Sequence, residues 1–128
     1  MEAKNPVGWF EIYVDDMQRA KQFYENVFEI ELGVLRNPTP DEPLEMLAFP
    51  SDIKEFGCSG ALVHMNGFKA GANSTIVYFA SADCSAEESR VADAGGTVFK
   101  TKMGIGKYGF ISLCHDTEGN MIGMHSLK

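Results

Sequence analysis

The chain has 128 residues, of which 45% are hydrophobic, 11% aromatic and 23% charged. That composition suits one folded core and excludes a disordered chain. Lys+Arg number 11 against 18 Asp+Glu, a formal charge of −7, and the basic residues are scattered; binding to a phosphate backbone needs a clustered positive footprint, so no nucleic-acid partner is expected.

No apolar run approaches the roughly 18 residues of a membrane span. The opening Met1-Glu2-Ala3-Lys4-Asn5-Pro6 has no basic segment followed by an apolar one, so the expectation is a cytoplasmic protein with no membrane partner. Cys58, Cys84 and Cys114 are widely spaced and odd in number, which suggests neither a disulfide framework nor a Cys-type zinc site. Cys114 lies in an apolar run and reads as a small buried hydrophobe. Asn73-Ser74-Thr75 matches the glycosylation sequon, without meaning in a cytoplasmic chain.

Residues 7–14 are rich in β-branched and aromatic side chains and read as a strand. Phe10, Ile12 and Val14 form one face, while Trp9, Glu11 and Tyr13 form the other. Both faces are expected to be covered. Asp15-Asp16 offers an acidic N-cap to a helix over 17–28, in which Met17, Ala20, Phe23, Tyr24, Val27 and Phe28 make one apolar stripe. Strands are expected at 31–36, 44–49 and 60–65. The stretch from Asn37 to Pro43 holds three of the five prolines and reads as a loop. Residues 50–57 read as an exposed excursion, and the glycine-containing stretch 66–73 ends the first half.

The second half repeats the order. A strand at 74–80 is followed by Ser85-Ala86-Glu87-Glu88, which has the form of a capping box. A short helix continues through Val91, Ala92 and Ala94, and Gly95-Gly96 ends it in a left-handed C-cap. Strands are expected at 97–103, 110–114 and 121–126, the last two joined by a tight turn at Asp116-Thr117-Glu118-Gly119-Asn120. The reading is an α+β chain with β-α-β-β-β twice, in modules at about 5–66 and 74–127, together one domain. Gly104–Gly109 spells GxGxxG, but a strand follows it where a dinucleotide fingerprint needs a helix, so it reads as a hairpin loop.

Two segments carry a family resemblance. The run from Trp9 to Met17 followed by Ala20-Lys21-Gln22-Phe23-Tyr24 has the form V-x-D-x-x-x-A-x-x-F-Y, and Asp116–Asn120 is similar to a D-P-D-G-N turn before a final strand. With the Gly104–Gly109 loop, they resemble the vicinal oxygen chelate superfamily: glyoxalase I, bleomycin resistance protein and the extradiol dioxygenases. The resemblance covers nearly the whole chain. It implies two βαβββ modules forming a curved mixed sheet around a cleft, a small organic ligand and a homodimer. Metal-dependent members place one His, Glu or Gln on each of four strands. Carried over residue by residue, those positions fall on Trp9, near His64, on Thr75 and on Gly123. Trp, Thr and Gly are not ordinary divalent-metal ligands, so the usual metal centre is expected to be missing and no cofactor is called for.

Glu11 shares a strand face with Trp9 and Tyr13. A carboxylate there reads either as a substrate-orienting group or general base, or as a structural carboxylate bonded to a neighbouring strand. His64 and His125 are further polar candidates, and Glu11, His64 and His125 together have the composition of a 2-His-1-carboxylate triad. His115, just before the turn, reads as a turn or surface histidine. Trp9, Tyr13 and Phe79 would line an aromatic pocket, with His64, Thr75 and His125 as further ligand contacts, and Met103, Met121 and Met124 as apolar lining or core. No nucleophile is identifiable. The leading expectation is a glyoxalase-like small-molecule-binding protein with Glu11 as its central polar group. The alternatives are a lyase, isomerase or dioxygenase-type enzyme using a displaced metal or Glu11 as base, and a structural or regulatory dimer with a vestigial cleft.

Overall fold

A computed structural model describes residues 5–36 and 43–128. The first module runs β1 (Phe10–Tyr13), α1 (Met17–Phe28), β2 (Gly33–Val34), β3 (Leu44–Ala48) and β4 (Gly60–Met65). The second runs β5 (Val77–Ala80), α2 (Cys84–Val91), β6 (Thr97–Gly104), β7 (Phe110–His115) and β8 (Met121–Ser126). Each module makes one four-stranded sheet, in the orders β1-β4-β3-β2 and β5-β8-β7-β6. β1 pairs parallel with β4, and β5 with β8; the remaining pairs are antiparallel. The two modules therefore share one topology, the α+β arrangement of two βαβββ units expected from the element order.

Several boundaries differ from the sequence reading. The strand expected over 31–36 shrinks to Gly33–Val34, an exposed edge pair. β1 starts at Phe10 because its expected first residues lie in solvent, Val7 being 62% exposed. β5 starts at Val77. Before it, the Asn73 amide replaces strand pairing: its Nδ2 donates to the Met121 carbonyl and its Oδ1 accepts from the Met121 N–H, both at 3.1 Å. That backbone-like use is the structural role of the residue in the sequon. Most of the expected 37–43 loop lies outside the described residues.

The capping box at Ser85 does not form. α2 begins two residues earlier, at Cys84, with Asp83 as N-cap accepting from the Ser85 N–H at 3.0 Å. Glu88 reaches away from the helix start, accepting from the Lys102 N–H at 2.6 Å and the Ser112 hydroxyl at 2.9 Å. A neighbouring strand thus outcompetes the local cap. α1 is capped in the same way by Asp16, which accepts from the Arg19 N–H.

Both helices pack on the same side of their sheets. Ile12, Val14, Phe23, Tyr24, Val27 and Leu62 of the first module join Cys84, Val91, Cys114, Ile122 and Met124 of the second in one buried cluster. Each large apolar side chain buried this way contributes about 1.5–3 kcal/mol. Cys114 is buried as expected, and burial together with the nearby Asp116 charge pushes its thiol up to about 12.

The turn after β7 locks the modules together. Asp116, Glu118 and Asn120 are all buried. Glu118 accepts from the Asp15 and Asp16 N–H groups at 3.0 and 2.8 Å, from Arg19 Nε at 2.7 Å, and from the Thr117 hydroxyl at 2.9 Å. It satisfies the start of α1 from the opposite module. Asp116 accepts from the Tyr24 hydroxyl at 2.7 Å and from the Glu118 and Asn120 N–H groups at 2.8 Å each. Gly119 supplies the turn's left-handed residue at φ 81°.

Candidate binding groove at the module seam

Strand register decides which side chains can meet. Glu11 pairs with Ala61 and Tyr13 with Val63, so these residues lie on the sheet face away from α1. Ile12 pairs with Leu62 on the helix-covered face. The expectation that both faces are covered does not hold: Trp9 is 45% exposed and Glu11 is also exposed, because the helices cover one face only.

A groove of about 290 Å³ runs along the seam between β1 and the β5–β8 edge. Glu11 and Tyr13 line it from one module; Thr75, Val77 and Met121 line it from the other. Lys69 and Asn120 line it as well. Asn120 fixes this geometry, since its Nδ2 donates to the Tyr13 carbonyl at 2.9 Å and its Oδ1 accepts from the Gly71 N–H at 2.7 Å. The Asp116–Asn120 turn therefore positions the groove wall as well as the helix.

Within the groove the Glu11 carboxylate is held by two aromatic donors. Trp9 Nε1 donates to Oε2 at 3.3 Å, and the Tyr13 hydroxyl donates to Oε1 at 3.0 Å. Partial burial and the adjacent Glu11 carboxylate raise the Tyr13 pKa, so the phenol keeps its proton at neutral pH. The Tyr13 ring stacks on Phe68, with centroids 5.2 Å apart. Trp9 itself does not line this groove; it lines a second hollow, of about 490 Å³, formed with the 50–59 segment.

The other candidates lie elsewhere. His64 pairs with Glu45 across β3, so it shares the parity of Leu62, opposite to Glu11. Its Nδ1 lies 2.9 Å from the Val14 carbonyl. Phe79 turns inward to pack on Phe28, with centroids 4.5 Å apart, and on Phe49 and Phe10. It is part of the aromatic core between modules, not of the groove. His125 does share the outer face of Gly123, but its Nε2 lies 2.7 Å from the Tyr108 carbonyl. Glu11, His64 and His125 thus do not converge, and among the described residues no three His, Cys, Asp or Glu side chains form a metal-holding group. His115 lies edge-on to Phe99 beside the turn. Sequence reasoning missed Lys69, Asn73 and Asn120 as groove residues; Asn120, a turn side chain that becomes buried, carried a signal, whereas Lys69 and Asn73 are exposed.

The sequence profile of the Glyoxalase/Bleomycin resistance protein/Dioxygenase superfamily matches residues 7–124. The chain belongs to this superfamily. Similar solved structures include glyoxalase I from Zea mays, at 18% identity and TM-score 0.72, over 95% of this chain and 46% of that one. The chain thus spans about half the length of the maize protein. A glyoxalase/bleomycin resistance protein from Albidiferax ferrireducens matches at 19% identity and TM-score 0.67, over 95% of this chain and 98% of that one. The antibiotic-binding protein TnmS3 from a Streptomyces species matches at 21% identity and TM-score 0.66, over 98% of each chain. No curated protein sequence matches. At these identities the structural likeness establishes the fold alone.

The superfamily's four metal-ligand positions can be tested on this chain's side chains. Trp9 carries only a donor, already directed at Glu11. Gly123 has no side chain, and the Tyr78 ring covers it so closely that an added Cβ would lie 2.5 Å from ring carbons. Thr75 offers a neutral hydroxyl, and His64 faces the other side of its sheet. This donor set does not fit a divalent ion.

Proposed function

We propose that the chain is a small-molecule-binding member of the superfamily, holding an organic ligand in the seam groove without a divalent metal. The observation that carries this reading is the Glu11 carboxylate, oriented by Trp9 and Tyr13 and left open toward an otherwise largely apolar groove. Concave sites with apolar walls and a few oriented polar groups are the usual form of small-molecule sites. Thr75 and Met121 supply the facing wall.

The test is ligand binding in the presence of EDTA, using a library of small aromatic and alicyclic compounds. Wild type is expected to bind without added metal, and Thr75→Trp, which fills the groove, is expected to abolish binding. A strict requirement for Zn²⁺, Ni²⁺, Mn²⁺ or Fe²⁺, or binding that survives Thr75→Trp, would overturn the reading.

A second reading, acid–base catalysis with Glu11 as base, is favoured by the same exposure of its carboxylate. It requires turnover that Glu11→Gln removes while ligand affinity persists. The proposal also includes a homodimer. In its support, the sheet face away from the helices carries exposed Tyr78 and Met103 and half-buried Ile111 and Leu113. Light scattering at graded concentration tests it, a constant monomer mass counting against it. No helix among the described residues is long and apolar enough to cross a membrane.

A further inference from the structure

We propose that the ligand of the groove is an organic cation: an amine or guanidinium that seats on Glu11, with an apolar body lying along Tyr13 and Met121. This rests on the binding role proposed above and adds the ligand's charge and polarity.

Among the described residues, Glu11 takes part in no ion pair. Its two hydrogen bonds come from neutral groups, an indole N–H and a phenol O–H. Neutral donors fix a carboxylate's direction without cancelling its charge. A carboxylate has about four lone-pair sites, so roughly two remain for a ligand. A cationic N–H is the donor that uses them best, because charge-assisted hydrogen bonds are about twice as strong as neutral ones.

A ligand carboxylate or carbonyl at Glu11 would set acceptor against acceptor, and an anion would add like-charge repulsion. The formal charge of −7 draws cations toward the surface and repels anions.

Lys69 lines the same groove but does not pair with Glu11. Its ammonium repels a second positive group and welcomes an acceptor. The ligand that suits both charged groups is a monocation, with any carbonyl or hydroxyl placed away from its charged head. Val77 and Met121 give the same groove apolar wall.

The experiment compares three probes with one body and three charges: phenylbutylamine, phenylbutanol and phenylbutyrate. Trp9 is the single tryptophan of the chain, and its indole touches Glu11, so its emission reports occupancy in wild type and Glu11→Gln, while calorimetry reports it in Thr75→Trp, which adds a second indole. At neutral pH and low salt, the amine is expected to bind on the order of tenfold more tightly than the alcohol, with the acid weakest. In Glu11→Gln the amine and alcohol should bind alike. Added salt should narrow the preference in wild type.

Equal affinity of amine and alcohol in wild type, with Thr75→Trp still blocking both, would overturn the cation while leaving the groove as a binding site. So would an amine preference that Glu11→Gln leaves intact. Binding of all three that ignores Thr75→Trp would overturn the groove itself, and so would failure of all three probes to bind.

Discussion

Two glutamates near the module seam have opposite fates. Glu118 lies in the β7–β8 turn with a side chain 0% exposed, and its oxygens are saturated by backbone N–H groups, a guanidinium and a hydroxyl. Glu11 lies on β1, exposed, with one neutral donor on each oxygen and no cationic partner among the described residues. The first carboxylate is consumed by architecture; the second has capacity left for something that arrives from outside. A carboxylate's role is read from its unspent acceptor capacity, not from its place near a cleft.

The largest effect is expected on the Glu118 side. Glu118→Ala strands two N–H groups at the start of α1 and leaves Arg19 without its partner. The unfolding free energy should fall by about 2–3 kcal/mol in chemical denaturation. A loss below about 0.5 kcal/mol would remove the turn from the account of how the modules are held. Tyr24→Phe is expected to cost about 1–2 kcal/mol by leaving the buried Asp116 one donor short.

The pH dependence sharpens the contrast within the turn. Burial raises Glu118, but the Arg19 guanidinium, the Asp16 N–H and the Thr117 hydroxyl hold its pKa below the ordinary 4.5. Its stabilisation is therefore present above pH 4.5 and lost as pH falls through the lower folded value. Asp116 has the opposite sign. Burial outweighs its donors and raises its pKa above 3.8, so protonation in the folded state relieves a cost as pH falls. Acid titration of stability in Glu118→Gln should show a shallower loss below pH 4.5 than wild type. An unchanged slope contradicts the assignment.

On the other side, Glu11→Gln should change stability by less than about 0.5 kcal/mol, as surface substitutions do. Its effect should appear in ligand affinity. A large stability loss would place Glu11 with Glu118 as a structural group. At the end of α1, Glu29 holds a left-handed conformation at φ 54°. Glu29→Gly should gain about 0.5–1 kcal/mol, because glycine adopts that region without steric cost. No gain would mean that its 3.7 Å pairing with Arg90 offsets the strain.

What was legible in the sequence follows from periodicity and turn chemistry. The α1 stripe from Met17 to Phe28 has one apolar face, and the element matches its expected bounds. β8 and β4 are also found where expected. The placements of His64 and Phe79 failed for a shared reason. Gly60-Ala61-Leu62-Val63 and Ile76-Val77-Tyr78-Phe79 are apolar at every position, so they lack the alternation that assigns a face. β1, where Glu11 interrupts the pattern, was readable on both faces. The clamp at 116–120 was legible as a turn only, because the partners of Glu118 in and just before α1 lie 99–103 residues away.

The most direct measurement of the central claim is an amide and indole N–H chemical-shift map by NMR during titration with phenylbutylamine. The account predicts the largest shifts at the Trp9 indole, at residues 10–13 and at 120–122, with the amides of 116–119 nearly still. Shifts centred on Tyr108 of the β6–β7 hairpin and its β8 neighbour His125, with Trp9 and Glu11 unmoved, would contradict it.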